Sequence, residues 1–256
     1  MAQPLSVAPL PALFRFPFQG PDWKKRFLIG SALMLANLII PILPLIVVAG
    51  YVIEVMRRIL RGEDPALPPW SDWGRLTIDG LRGALVSLVF LLPGTVVYLI
   101  GMGLYLLGIV VAPLAVGTSG RSPAAMAVFL GLAAAGVLMF FTCIAIVLWL
   151  VGSAPLPAAT AHFVVRDRVG AAFSVGEWWP ILRANAMGFF IDWVLVAGLW
   201  ALAYLACALV GYTVVLCCLL PLVAAPALFY LWVVGAAKFA LSYREGAALV
   251  TARGRA

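Results

Sequence analysis

Residues 84–117 read ALVSLVFLLPGTVVYLIGMGLYLLGIVVAPLAVG, a run without a single charged side chain. As a helix it would rise about 51 Å, more than the roughly 30 Å of hydrocarbon in a bilayer. Further apolar blocks occupy 27–56, 124–154, 187–211 and 213–240. The chain is 65% hydrophobic and 11% charged, with a mean hydropathy of +1.11. Soluble domains average about 25% charged and 45–50% apolar residues. Backbone polar groups must pair internally in lipid, so spans are helices or closed barrels. A barrel strand would alternate in polarity, and the continuous runs 144–151 and 194–202 do not. The expected fold is all-α: a polytopic transmembrane helix bundle with about five to six membrane segments. The 256 residues form a single integral membrane domain, 1–256.

The charge pattern orients the segments. Cations in short cytoplasmic loops are the usual topological signal. Arg57, Arg58, Arg61, Arg75 and Arg82 follow the first block, and Arg166, Arg168 and Arg183 lie between the third and fourth. Lys238, Arg244, Arg253 and Arg255 are at or beyond the end of the fifth, whereas the 118–122 turn has only Arg121 and the 211–212 turn none. Residues 57–82 and 158–185 are therefore expected as cytoplasmic interfacial loops, and 241–256 as a cytoplasmic tail of a cell-membrane protein. The same bias accounts for the net charge of +7 without nucleic acid as a partner. The first 26 residues, interrupted by Pro4, Pro9, Pro11, Pro17 and Pro21, contain no cleavable signal pattern. They read as an interfacial arm, with Phe14, Phe16, Phe18 and Trp23 at headgroup depth and Arg15, Lys24, Lys25 and Arg26 toward anionic lipid.

The first block breaks at Pro41-Ile42-Leu43-Pro44. Each proline removes a helical hydrogen bond and clashes with the preceding turn. The arms 27–40 and 45–56 would each be about 20 Å long, too short to cross. A re-entrant helical hairpin entering from the cytoplasmic side satisfies both charge and proline evidence; a tilted, proline-kinked single span is the alternative. A sparse repeat with a 105-residue offset, aligning Arg61 with Arg166 and Asp72-Trp73 with Glu177-Trp178, is compatible with two parallel halves.

The connector after the first block is the richest in candidate residues. Glu54 suits pairing with Arg58 at i,i+4. Gly62 lets the chain leave the helix, and Asp64-Pro65 and Pro68-Pro69 enforce extended backbone. Arg57, Arg58, Arg61, Trp70, Asp72 and Trp73 form a candidate interfacial docking loop, with the tryptophans at headgroup depth, and Asp79 sits near the positive start of the next helix. Phe16-Pro17-Phe18, Trp23-Lys24, Gly50-Tyr51, Arg57, Gly62, Leu67-Pro68, Asp72-Trp73 and Gly80 resemble the opening pattern of the domain-of-unknown-function 4013 family of prokaryotic multi-pass integral membrane proteins. The resemblance covers the first hundred residues or so best. It implies a helical membrane protein without an assigned activity, and carries over no catalytic residue.

In the second connector, Phe163, Val169 and Phe173 interleave with Arg166, Asp167 and Arg168, as in a helix lying in the membrane plane. His162, the only histidine, reads as an interfacial residue and lacks neighbours at metal-ligand spacing. The four cysteines (Cys143, Cys207, Cys217 and Cys218) lie in apolar runs and read as small packing residues. Ala127, Gly131 and Ala135 form a small-residue stripe, and Gly101, Gly103 and Gly108 thin the second block. Intramembrane polar groups are the default functional suspects: Asn37, Asp192 and Lys238. Asp192 and Lys238 are expected to meet as an intramembrane ion pair. With no recognisable catalytic signature, neither enzyme activity nor a cofactor or metal is expected. The leading expectation is a non-catalytic scaffold or accessory subunit, with a membrane-protein partner or a homo-oligomer; the alternative is a small transporter or channel acting as an oligomer.

Overall fold

The computed structural model describes residues 14–20, 22–63, 66–117, 123–211 and 219–254. The turn expected at 118–122, the second residue of that at 211–212, Asp64-Pro65, Cys217, Cys218 and the first part of the N-terminal arm lie outside them. Among the described residues every regular element is a helix, and there is no strand. The elements are α1 (Trp23–Ala36), α2 (Leu43–Arg61), α3 (Trp73–Gly117), α4 (Pro123–Ser153), α5 (Leu156–Arg166), α6 (Val175–Ala184), α7 (Ala186–Gly211) and α8 (Leu220–Arg253), with short 3-10 turns at Phe16–Phe18 and Val169–Phe173. Among the described residues four helical segments are long and apolar enough to cross a membrane: Trp73–Val111, Val128–Arg166, Ala186–Gly211 and Leu220–Arg253.

The chain divides into two compact units, one of Met1–Val86 with Pro157–Ala256, the other of Ser87–Leu156. The first unit is organised around α8, which packs against α1, α2, α6 and α7. Phe229, Val233, Ala237 and Ala240 are fully buried along it.

The proline break separates two helices that pack on each other. Pro44 sits in the first turn of α2, where a missing N–H costs nothing. Ile42 takes φ 77°, a strained value for a β-branched residue, and its N–H donates to Asn37 Oδ1 at 3.0 Å. α2 continues five residues beyond the apolar block, so its 19 residues rise roughly 28 Å rather than the shorter arm expected. Its two ends contrast. Leu38, Ile39, Ile40, Ile42 and Leu43 are all exposed, Ile39 at 85%, whereas the far end carries Arg57, Arg58 and Arg61.

The second unit is an antiparallel pairing of the later part of α3 with α4. A Cβ on Gly94 would fall 2.5 Å from the Trp149 ring, on Gly101 2.4 Å from Phe141 Cβ, and on Gly108 2.8 Å from Ala134 Cβ. Those glycines recur every seven residues and form one seam. Gly103 and Gly131 face open space, so neither Gly103 nor the expected stripe at Gly131 makes the close contact. Trp149 Nε1 donates to Thr95 Oγ1 at 3.2 Å.

Candidate functional site

The charged end of α2 is built by local signals. Gly62 adopts φ 86°; its N–H donates to Ile59 O and that of Glu63 to Arg58 O, the Schellman pattern that ends a helix. At the start of α3, Asp72 Oδ1 accepts the Arg75 N–H at 3.0 Å, as an N-cap does. The two helices then approach without intervening side chains. A Cβ on Gly50 would lie 1.7 Å from the Leu76 carbonyl oxygen, and one on Gly80 1.8 Å from that of Ile46.

This crossing buries charge. Arg57 is 4% exposed and Asp79 3%. The Arg57 guanidinium donates to Asp79 Oδ2 at 2.7 Å and to Glu54 Oε2 at 2.6 Å. Arg58 Nε reaches Glu54 Oε1 at 3.5 Å. Arg75 and Arg82 stand 3.8 and 3.6 Å from Asp79, and Asp167 Oδ1 lies 3.8 Å from Arg57 and 3.9 Å from Arg82. Asp79 therefore acts as the counter-ion of a buried arginine and not as a helix-dipole partner.

The connector between α2 and α3 is pinned inward. Tyr51 is fully buried; its hydroxyl donates to Pro68 O at 2.8 Å and its ring stacks on Trp70 at 3.8 Å between centroids. Trp70 Nε1 donates to Arg26 O at 2.9 Å, and the Arg26 guanidinium donates to Leu67 O. Leu67 and Pro68 are themselves buried.

A family model described as a protein of unknown function, DUF4013, matches residues 33–212. The chain belongs to the DUF4013 family. No curated protein and no solved structure matches it. The residues that suggested DUF4013 coincide with the construction just described: Gly50 and Gly80 permit the crossing, Tyr51 holds the Leu67-Pro68 segment, Arg57 carries the ion cluster, Gly62 ends α2 and Asp72 starts α3. In this chain they are structural parts of one corner.

Two further polar groups complete the first unit. His162 is 3% exposed. Its Nε2 lies 3.2 Å from Glu177 Oε2 and its Nδ1 2.6 Å from the Tyr243 hydroxyl. Both ring nitrogens are thus engaged, one by the Glu177 carboxylate and the other by the Tyr243 hydroxyl. Arg166 Nη2 donates to the same Glu177 oxygen at 3.0 Å. The His162 hydrogen bond, assisted by Arg166 and opposed by partial burial, holds the Glu177 carboxyl below its ordinary range. The second group joins α7 to α8. Lys238 Nζ lies 2.8 Å from Asp192 Oδ1, Ser242 Oγ donates to Asp192 Oδ2 at 2.5 Å, and Asn185 Nδ2 donates to Ser242 O and to Glu245.

The candidate residues thus separate. Asp192 and Lys238 are in direct contact. Arg61, Asp72 and Trp73 are exposed, while Arg57 is buried and Trp70 is half-buried against Tyr51, so these six do not form one outward-facing surface. His162 is buried within the protein. The in-plane helix expected over Phe163–Phe173 is replaced by the end of α5, a left-handed turn at Asp167 and a 3-10 turn; Phe163 is fully buried. Phe16, expected at headgroup depth, is likewise fully buried. Among the described residues no group of three His, Cys, Asp or Glu side chains is placed to hold a metal ion.

Proposed function

We propose that this DUF4013 protein is a multi-pass protein of the cell membrane that acts as a non-catalytic scaffold or accessory subunit. The observation that carries the reading is the state of its polar groups: each buried side-chain nitrogen and oxygen among the described residues has a hydrogen-bond partner. Groups committed to each other stiffen a bundle and offer little lining to a polar path. Large apolar side chains meanwhile cover the outside, with Met139 at 70%, Tyr204 at 78% and Phe190 at 61% exposure. Surfaces of that kind belong against lipid or another protein.

The threading that fits puts the arginine-bearing connectors and the C-terminus in the cytoplasm. The α1–α2 hairpin enters from that side, its bare 38–43 tip in hydrocarbon and its Arg61 end at the headgroups. Transport by an oligomer is the second reading, favoured by the broken first segment, since interrupted helices line the sites of many transporters.

The deciding experiment is affinity purification of the full chain from native membranes in mild detergent. A stoichiometric partner supports the scaffold reading. A lone monodisperse species whose reconstituted vesicles pass solute replaces it with transport. Impermeant thiol labelling of single cysteines at positions 19 and 71, in a variant lacking the four native cysteines, tests the hairpin: both are protected from outside on intact cells if it is re-entrant, whereas position 19 is labelled if the first block crosses once.

A further inference from the structure

Two hollows in the first unit share a wall. The smaller, about 190 Å³, is lined by Arg57, Arg61, Arg75 and Asp167 together with Leu60 and Val165. The larger, about 750 Å³, opens on the other side of the same Leu60 and Val165; Leu241, Ala248, Leu249 and Ala252 give it an apolar bed, and Arg244 and Glu245 line it too. A cationic recess thus adjoins an apolar groove.

The charge in the recess is unbalanced. Three arginines face one carboxylate. Arg57 already spends its bonds on Glu54 and Asp79, but Arg61 forms no ion pair among the described residues, and Arg75 is 51% exposed and only 3.8 Å from its nearest carboxylate. Asp167 is a loose counter-ion: its side chain is 66% exposed, it stands 3.8 and 3.9 Å from Arg57 and Arg82, beyond hydrogen-bond range, and its backbone is held at φ 51°. A phosphodiester brings oxygens that guanidinium groups bind in pairs. The recess is too small for a whole lipid, whereas the groove has the capacity of an ordinary small-molecule site. Depth agrees as well. The recess lies at the charged end of α2, about 28 Å along the helix from the exposed apolar tip at Ile39–Leu43.

We infer that this corner is a binding site for an anionic glycerophospholipid, whose phosphate sits between Arg61 and Arg75 and whose acyl chain passes Leu60 and Val165 into the groove beneath Leu249. Asp167 competes with the phosphate for the same cations. The site goes beyond the scaffold reading and rests only on residence in a membrane.

The test is native mass spectrometry of the full chain in mild detergent, titrated separately with phosphatidylglycerol and phosphatidylcholine. Wild type should retain phosphatidylglycerol in preference. Arg61→Glu with Arg75→Glu, both exposed and outside the buried core of the cluster, should lower that retention at least about tenfold. Leu249→Trp, which fills the groove without touching a charge, should lower it too, and Asp167→Asn should raise it. Equal retention of the two lipids, or retention unaffected by the arginine pair, overturns the site. Displacement of phosphatidylglycerol by inorganic phosphate with no effect of Leu249→Trp assigns the recess to a free anion and overturns the lipid. A chain that stays dissolved without detergent removes the membrane basis itself, and so is distinguishable from failure of the site alone.

Discussion

Ser87–Leu156 contains one charged residue, Arg121; all ten acidic residues and every other basic residue lie in the other unit. The charged unit joins its helices by directed bonds: Arg57 to Asp79, His162 to Tyr243 and Lys238 to Asp192. The apolar unit relies on shape, a seam of glycines at 94, 101 and 108 meeting Trp149, Phe141 and Ala134. Lipid tails are as apolar as leucine, so burial gives helices in a bilayer little reason to associate. Close packing and polar pairing are the two remaining means, and each unit leans on one of them.

The comparison breaks most visibly where close packing underlies the charged unit as well. Gly50→Leu should abolish recovery of folded protein, because backbone blocks the new side chain at 1.7 Å; the loss exceeds the roughly 1–3 kcal/mol usual for overpacking. Gly131→Leu, in the apolar unit and facing open space, should purify with an unchanged melting temperature. Next in size is the pairing itself. Asp192→Leu leaves the Lys238 ammonium without its carboxylate and should cost about 3–5 kcal/mol, and adding Lys238→Met should restore most of it; thermal melts of the four species in detergent give the coupling. Trp149→Phe removes one hydrogen bond from the apolar unit and should cost about 0.5–1.5 kcal/mol by the same melts. Equal losses at Asp192 and Trp149 would dissolve the distinction between the units.

The smallest effect is on acid stability. The Glu177 carboxyl titrates below its ordinary value of 4.5 in the folded chain. Its stabilising contribution is therefore complete above that value and disappears as pH falls through the lower folded one. Glu177→Gln should flatten the melting temperature between pH 5 and pH 3, by a margin that shrinks with salt because the side chain is half exposed.

Much of this was legible. The proline break, the exit at Gly62 and the approach of Asp192 to Lys238 all follow from local chemistry or from two helices joined by a short connection. Even the glycine seam is visible as a seven-residue recurrence, the period at which side chains return to one helical face, and Gly103 falls outside that period and faces open space. Arg57, Asp79 and His162 were harder. A cation beside an apolar block has the same composition whether it snorkels to the headgroups or turns inward, and 22 residues separate Arg57 from Asp79. The buried aromatic contacts of Tyr51 with Trp70 likewise depend on a connector folding back, which no periodicity announces.

What the chain alone decided was its solvent and its helices, because hydrophobic length and proline position act on each segment independently of its neighbours. Which charges became partners was left to the tertiary structure. That choice depends on the rotation and crossing of α2, α3, α7 and α8, and those are set by contacts between residues far apart in sequence: a glycine against a carbonyl, a tyrosine beneath a proline turn, a lysine meeting an aspartate on the next helix.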